Sequence, residues 1–284
     1  MSSDGWVLTI SPLYSHLQLV NLMSNTQIRI IPLGLCWFDI KNIKKLFVLE
    51  RRPTSSSESI YNTNFDLIIL APVSAQLNIV LCTNNKFHRL GFMGYNDILL
   101  YKGELYALRI IRGTCFGIHV FDQEQIYRIY LILGIAPNSN KDEVYLVESG
   151  GDLLLVRRQP NDLLQTAGFD VFKLTTEEYE CWYLNAVKLQ SLGNHQALFW
   201  GRQGCFSVPV EESSPFEEDH IYFIHVLEEN RLTEYGVYSL KDGSIKQVPN
   251  LNVPGPPSAS AESFWFFPTV KDTTVYPKRK LKVD

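Results

Sequence analysis

Six histidines, five cysteines and one dense run of carboxylates are the residues of this sequence best suited to chemistry. His220 and His225 lie five apart in and beside a strand-like segment, so extended backbone sends them to opposite faces, which is poor for a shared metal. His119 alternates with Ile118 and Val120 and reads as a satisfied strand histidine. His16, His88 and His195 stand at no metal-site spacing from another ligand. Cys36, Cys82, Cys115, Cys181 and Cys205 are odd in number and widely spaced, with no CxxC. They read as reduced, mostly buried thiols of an intracellular protein. The run EESSPFEEDH (211–220) could hold a cation or a basic peptide, but a solvated loop between strands is the reading preferred. GxSxG, HExxH, GxGxxG leading from strand to helix, and GxxxxGK[ST] are all missing. The expectation is therefore no catalytic residue, no metal site and no cofactor.

The elements that would position these residues are strands. EVYLVESGGDLLLVRR (143–158) reads as two apolar strands around Gly150-Gly151, a pair able to supply the two positive-φ positions of a tight hairpin turn. DILLYKGELYAL (97–108) turns near Lys102-Gly103, and QALFWGRQGCFSVPV (196–210) turns between Gly201 and Gly204. The runs are nearly continuous in hydrophobicity, so both faces of each sheet must be covered by protein. A repeat runs through them. FGIHVFD (116–122), FDVFKLT (169–175) and YGVYSLK (235–241) each begin with an aromatic followed by Gly or Asp. Each precedes a further strand: QIYRIYL (125–131), YECWYL (179–184) and SIKQVP (244–249). VNLMSNTQIRIIP (20–32) also overlays VYSLKDGSIKQVP (237–249) without a gap.

Four short strands per unit at uneven spacing predict an all-β fold, a β-propeller of four-stranded antiparallel blades. A β-sandwich would explain the hairpins but not the repeated unit. The composition fits: 45 % apolar, 20 % charged, 16 Phe, 14 Tyr and 5 Trp in 284 residues. A formal net charge of −4 argues against nucleic acid or an anionic membrane as the main partner. No apolar run approaches the ~18 residues of a membrane helix, and MSSDGWVLTI lacks the basic and apolar regions of a secretory signal.

The stretches YLVESGGDLLLVRR, FDVFKL, VKLQSLGNHQALFWG, HIYFI and YGVYSLKDGSI, in that order, resemble the plant F-box-associated β-propeller family of the KIB type. GWVLTI, LQLVNLMSNTQI, DILLYKGELYAL, FGIHVFD and FWFFPT fit the same family, so the resemblance runs from Gly5 to Thr269. The propeller domain is accordingly set at residues 1–270, and residues 271–284 at a basic tail. The family's Asp after SLG is Asn194 here. The family's F-box and the start of its propeller are not seen ahead of Gly5; a truncated gene product, a fragment and a ring closed by fewer blades all account for that.

The resemblance implies a non-enzymatic interaction domain. In the family the F-box recruits a Skp-type adaptor and a cullin ubiquitin ligase, and the propeller captures the substrate. KIB-type members are associated with a glycogen-synthase-kinase-like kinase of brassinosteroid signalling. The implied partner is thus a protein, a kinase or another ubiquitination substrate; a Skp-type adaptor is not expected without an F-box. The alternatives are a propeller hydrolase, glycosidase or lactonase-like, with acids converging from different blades, and a non-functional remnant. SFWFFPT (263–269) could offer Phe264, Trp265 and Phe267 as a peptide ledge. The resemblance favours a last inner strand instead. Lys278, Arg279, Lys280 and Lys282 after Pro277 fit a single-cluster nuclear import signal, and equally a solubilising end. Nucleus or cytoplasm is the expected location.

Overall fold

The computed structural model describes residues 6–10, 16–21, 27–32, 43–50, 65–73, 76–83, 86–90, 94–122, 125–138, 143–176, 182–201, 204–227 and 232–247. Every regular element among them is a strand. The chain forms two compact units, one holding the residues up to Tyr95 and the other the strands from Asn96 on, apart from the Asp122–Ile126 link. The first unit carries a three-stranded sheet of β1 (Trp6–Ile10), β2 (His16–Asn21) and β3 (Gln27–Pro32). It also carries a four-stranded antiparallel sheet of β4 (Lys45–Glu50), β5 (Phe65–Val73), β6 (Gln76–Thr83) and β7 (Lys86–Leu90).

The second unit contains two blades of four. β8 (Asp97–Tyr101), β9 (Glu104–Ile111), β10 (Cys115–Asp122) and β11 (Gln125–Leu133) make one. β12 (Val144–Ser149), β13 (Asp152–Pro160), β14 (Thr166–Thr175) and β15 (Tyr183–Lys188) make the next. Gly150 (φ 57°) and Gly151 (φ 86°) close the β12–β13 hairpin, in the left-handed region where a Cβ is penalised. Lys102 (φ 51°) and Gly103 (φ 82°) close β8–β9 in the same manner. The two blades are joined along their last strands, where β11 and β15 pair in parallel through Leu131–Tyr183, Ile132–Leu184 and Leu133–Asn185. At the other edge the Asp97 carboxylate accepts a 2.8 Å hydrogen bond from the Leu146 amide, and Tyr101 donates to the Gly151 carbonyl. Phe116, Ile118, Leu146, Leu155, Phe172 and Leu184 fill the space between them. This is the cover that the continuous apolar runs require.

A five-stranded sheet completes the unit: β16 (Gln196–Gly201), β17 (Gly204–Pro209), β18 (His220–Leu227), β19 (Leu232–Ser239) and β20 (Ile245–Gln247), in the order β17-β16-β18-β19-β20. It holds one strand more than the expected four, because residues 210–219 carry the chain back across β16 and β18 then pairs with it in parallel. The two aligned segments 20–32 and 237–249 are both hairpins, yet their registers differ. Val20 pairs with Gln27, whereas the equivalent Val237 pairs with Lys246.

The repeated aromatic-Gly/Asp pair falls on the next-to-last strand, in chain order, of both blades and of the five-stranded sheet, β10, β14 and β19, where space is tight. A Cβ at Gly117 would lie 2.5 Å from Ile111 Cδ1, and one at Gly236 would lie 2.3 Å from Phe223 Cζ. In β14 the same position is Asp170, buried with three polar partners.

His119 is buried on β10. Burial, then the Arg109 charge, lower its pKa to about 4. A histidine held neutral when folded and titrating near 6.5 when unfolded gives stability that is complete above pH 6.5 and declines as pH falls toward 4. The decline is expected to reach on the order of 3 kcal/mol, measured as the shift in urea midpoint from pH 7 to pH 4.5. It should vanish in a His119→Leu variant; a wild-type profile flat over that range would contradict it.

Candidate protein-interaction surface

Residues in or next to five strands of the second unit, β12, β13, β14, β18 and β19, meet in one charged cluster. Arg158, near the end of β13, is buried and grips Glu143 with Nε (2.9 Å) and Nη2 (3.3 Å). Its Nη1 donates to the Leu164 carbonyl at 3.1 Å. His225 Nδ1 lies 3.7 Å from the same Glu143. Glu234 pairs with His225 across β18–β19 and accepts hydrogen bonds from the Thr166 amide and hydroxyl, both 3.1 Å. Both carboxylates are thus committed to neighbouring strands. Their placement fixes strand ends.

The β13–β14 connection rises from this cluster. Pro160 ends β13 after a register shift at Gln159–Pro160, since it has no amide to extend the ladder. Asn161 then organises the turn: its Oδ1 accepts from the Leu163 and Gln165 amides, both 2.9 Å, and its carbonyl accepts from Leu164 N at 2.9 Å. The result is an ordered tip carrying two leucines in solvent, Leu163 at 74 % exposure and Leu164 at 50 %. Leu164 sits at φ 62°, a conformation that costs a branched residue roughly 1–2 kcal/mol. Leu164→Gly is therefore expected to leave stability unchanged to within about 1 kcal/mol, relief of strain offsetting the added freedom of the unfolded chain. A urea titration showing a much larger loss would mean that the side chain is needed for folding.

A second apolar surface lies on the outer face of the β11–β15 seam. Ile129, Leu133, Tyr183 and Val187 share that face by alternation, with Trp182 just before β15, and all five are exposed. Sequence reasoning did not single out either surface. The signal for the first was available: PNDLLQ sets two leucines inside a turn where polar residues are the rule.

The residues flagged from sequence are dispersed. His220 and His225 both belong to β18, an odd number of residues apart, and have different partners, Glu217 and Glu143. His195 is exposed and its Nδ1 lies 2.6 Å from Glu218. The acidic run is the β17–β18 connection. Within it Asp219 accepts from the Leu192 amide (2.6 Å) and the Ser191 hydroxyl (3.0 Å), so part of the run is a structural tie. Asn194 has φ 50°, which asparagine tolerates well. No group of three or more potential metal ligands is found among the described residues, and Cys82, Cys115 and Cys205 form no disulfide among them. Cys36, Cys181, the segment 263–269 and the tail with Lys278, Arg279, Lys280 and Lys282 lie outside the described residues.

Antiparallel blades of this kind, laid side by side along the chain, define a β-propeller. The chain belongs to the KIB1-4 beta-propeller family, whose model matches residues 1–239. Among solved structures, that of a candidate exo-beta-1,3-galactanase from Bifidobacterium bifidum s17 is similar with a TM-score of 0.36 at 10 % identity, covering 89 % of this chain and 93 % of that chain. No curated protein matches.

Proposed function

We propose that this propeller is a non-enzymatic protein-interaction domain that acts as the substrate-binding part of an F-box-type plant ubiquitin ligase. The observation that carries this reading is the contrast between its polar and apolar groups. Glu143, Arg158, Thr166 and Glu234 are spent on one another, while Leu163, Leu164 and Trp182 face solvent. Exposed, rigidly held apolar side chains are what interfaces use. The captured protein is a kinase or another ubiquitination target, met in the nucleus or cytoplasm.

Affinity purification with and without an F-box fused to the N-terminus tests the assignment. The captured substrate should be recovered in both cases, with Skp-type and cullin subunits joining it in the fusion. Panels of sugar, ester and lactone substrates should show no turnover. Turnover that disappears on mutating one carboxylate would replace the binding reading with the hydrolase one.

A further inference from the structure

Two other features are weaker starting points than the leucine tip. The β11–β15 seam is apolar, but nothing beside it specifies an occupant. The His195–Glu218 pair is exposed and has no third partner that points to a ligand.

The Leu163–Leu164 tip carries more. Its backbone is fixed by four hydrogen bonds, from Leu163 N, Gln165 N and Leu164 N to Asn161 and from Asn161 N to the Gln165 carbonyl. The Arg158 guanidinium holds it from below through the Leu164 carbonyl. Leu163 is the most exposed of the large apolar side chains described. A strained, ordered backbone that places leucines in solvent is not explained by packing within the chain. Its charge surroundings are specific too. Asp162 lies in the tip itself, and Glu143 and Glu234 stand in the cluster beneath it with Arg158 and His225, so carboxylates outnumber the basic groups with His225 in either protonation state.

Resting on the interaction reading above, we infer that this tip is the anchor of the interface: Leu163 and Leu164 enter an apolar pocket on a folded protein partner, and Lys or Arg side chains rim that pocket. Preorganisation keeps the entropy cost of docking low. The acidic surround sets the sign of the partner's rim and disfavours insertion into an anionic membrane.

The test places a photoreactive benzoyl-phenylalanine at position 163 of the full chain and, separately, at position 182, followed by irradiation in cells of the source organism and peptide mapping of the adducts. The expected result is an adduct from position 163 whose partner peptide maps to an apolar pocket bordered by Lys or Arg. Its yield should fall about tenfold or more on Leu164→Ala and fall further with added salt. Leu163→Ala, at a position mostly in solvent, keeps the fold and should weaken capture similarly, checked by an unchanged circular dichroism spectrum. Adducts from position 163 to a polar or acidic site, to lipid or to a second copy of the chain would overturn the inference. Adducts from position 182 alone would also overturn it, while leaving the interaction reading standing. No adduct from either position would remove both.

Discussion

Trp200→Ala is expected to lower stability by about 3–5 kcal/mol, the cost of emptying a large aromatic site in a core. Trp200 is 1 % exposed on β16, and its ring lies 4.4 Å from that of Tyr145 on β12 and 5.2 Å from that of Phe169 on β14. Val147, Val156, Phe223 and Leu240 line the same core. The indole thus fills the space between one blade and the next. The urea midpoint of the variant measures the effect, and Trp200→Phe should lose clearly less. A loss below about 1 kcal/mol for the alanine variant would mean that these sheets are not held together by this core.

Asp170→Ala should destabilise by a comparable amount through a different cause. The Asp170 side chain is 4 % exposed and lies 2.9 Å from Arg157 Nη2 and 2.6 Å from Lys188 Nζ, with Gln159 donating as well. Burial by itself would raise its pKa, but the hydrogen bonds from Lys188, Arg157 and Gln159 outweigh that and hold the carboxyl below the ordinary range. Removing the carboxylate leaves the nearly buried Arg157 guanidinium without its counter-charge, a change that costs about 3–5 kcal/mol. Lys188→Met should cost far less, because that ammonium is 63 % exposed. A depressed carboxyl pKa also has a definite sign in pH. The stabilisation is complete above the unfolded value near 4 and is lost as pH falls through the folded value. This acid limb therefore lies below the one expected from His119, and the Asp170 variant should lack it. An acid limb that persists unchanged in the variant would assign it to other carboxylates.

Several elements were legible because their cause is local. Gly150-Gly151 announces a hairpin through backbone freedom that few residues have, and the left-handed φ values of both follow. The aromatic-Gly/Asp motif found β10, β14 and β19, because the next-to-last strand of both blades and of the five-stranded sheet repeats the same crowded position. Its structural meaning was not legible: Gly117 and Gly236 make room for a neighbouring side chain, whereas Asp170 fills the place with an ion pair. The fourth strand of the second four-stranded blade begins at Tyr183, later than YECWYL suggested. The fifth strand of the last sheet was hidden because alternation identifies a strand but not the neighbour it will pair with. The strand-end cluster was hidden for a related reason. Thr166 and Glu234 stand 68 positions apart and become partners only when two sheets are laid side by side.

The parallel pairing of β11 with β15 changes how this part of the molecule should come apart. In repeat architectures each unit touches only its neighbours, so single units can open in turn. Here two consecutive blades are bonded backbone to backbone along one edge and tied through Asp97 to Leu146 along the other. Neither can swing away without breaking both lines and wetting the apolar residues they enclose together. The amides of β9 and β13 should therefore exchange with deuterium through one common opening, at one free energy and with one denaturant dependence. This pair of blades behaves as a single cooperative block.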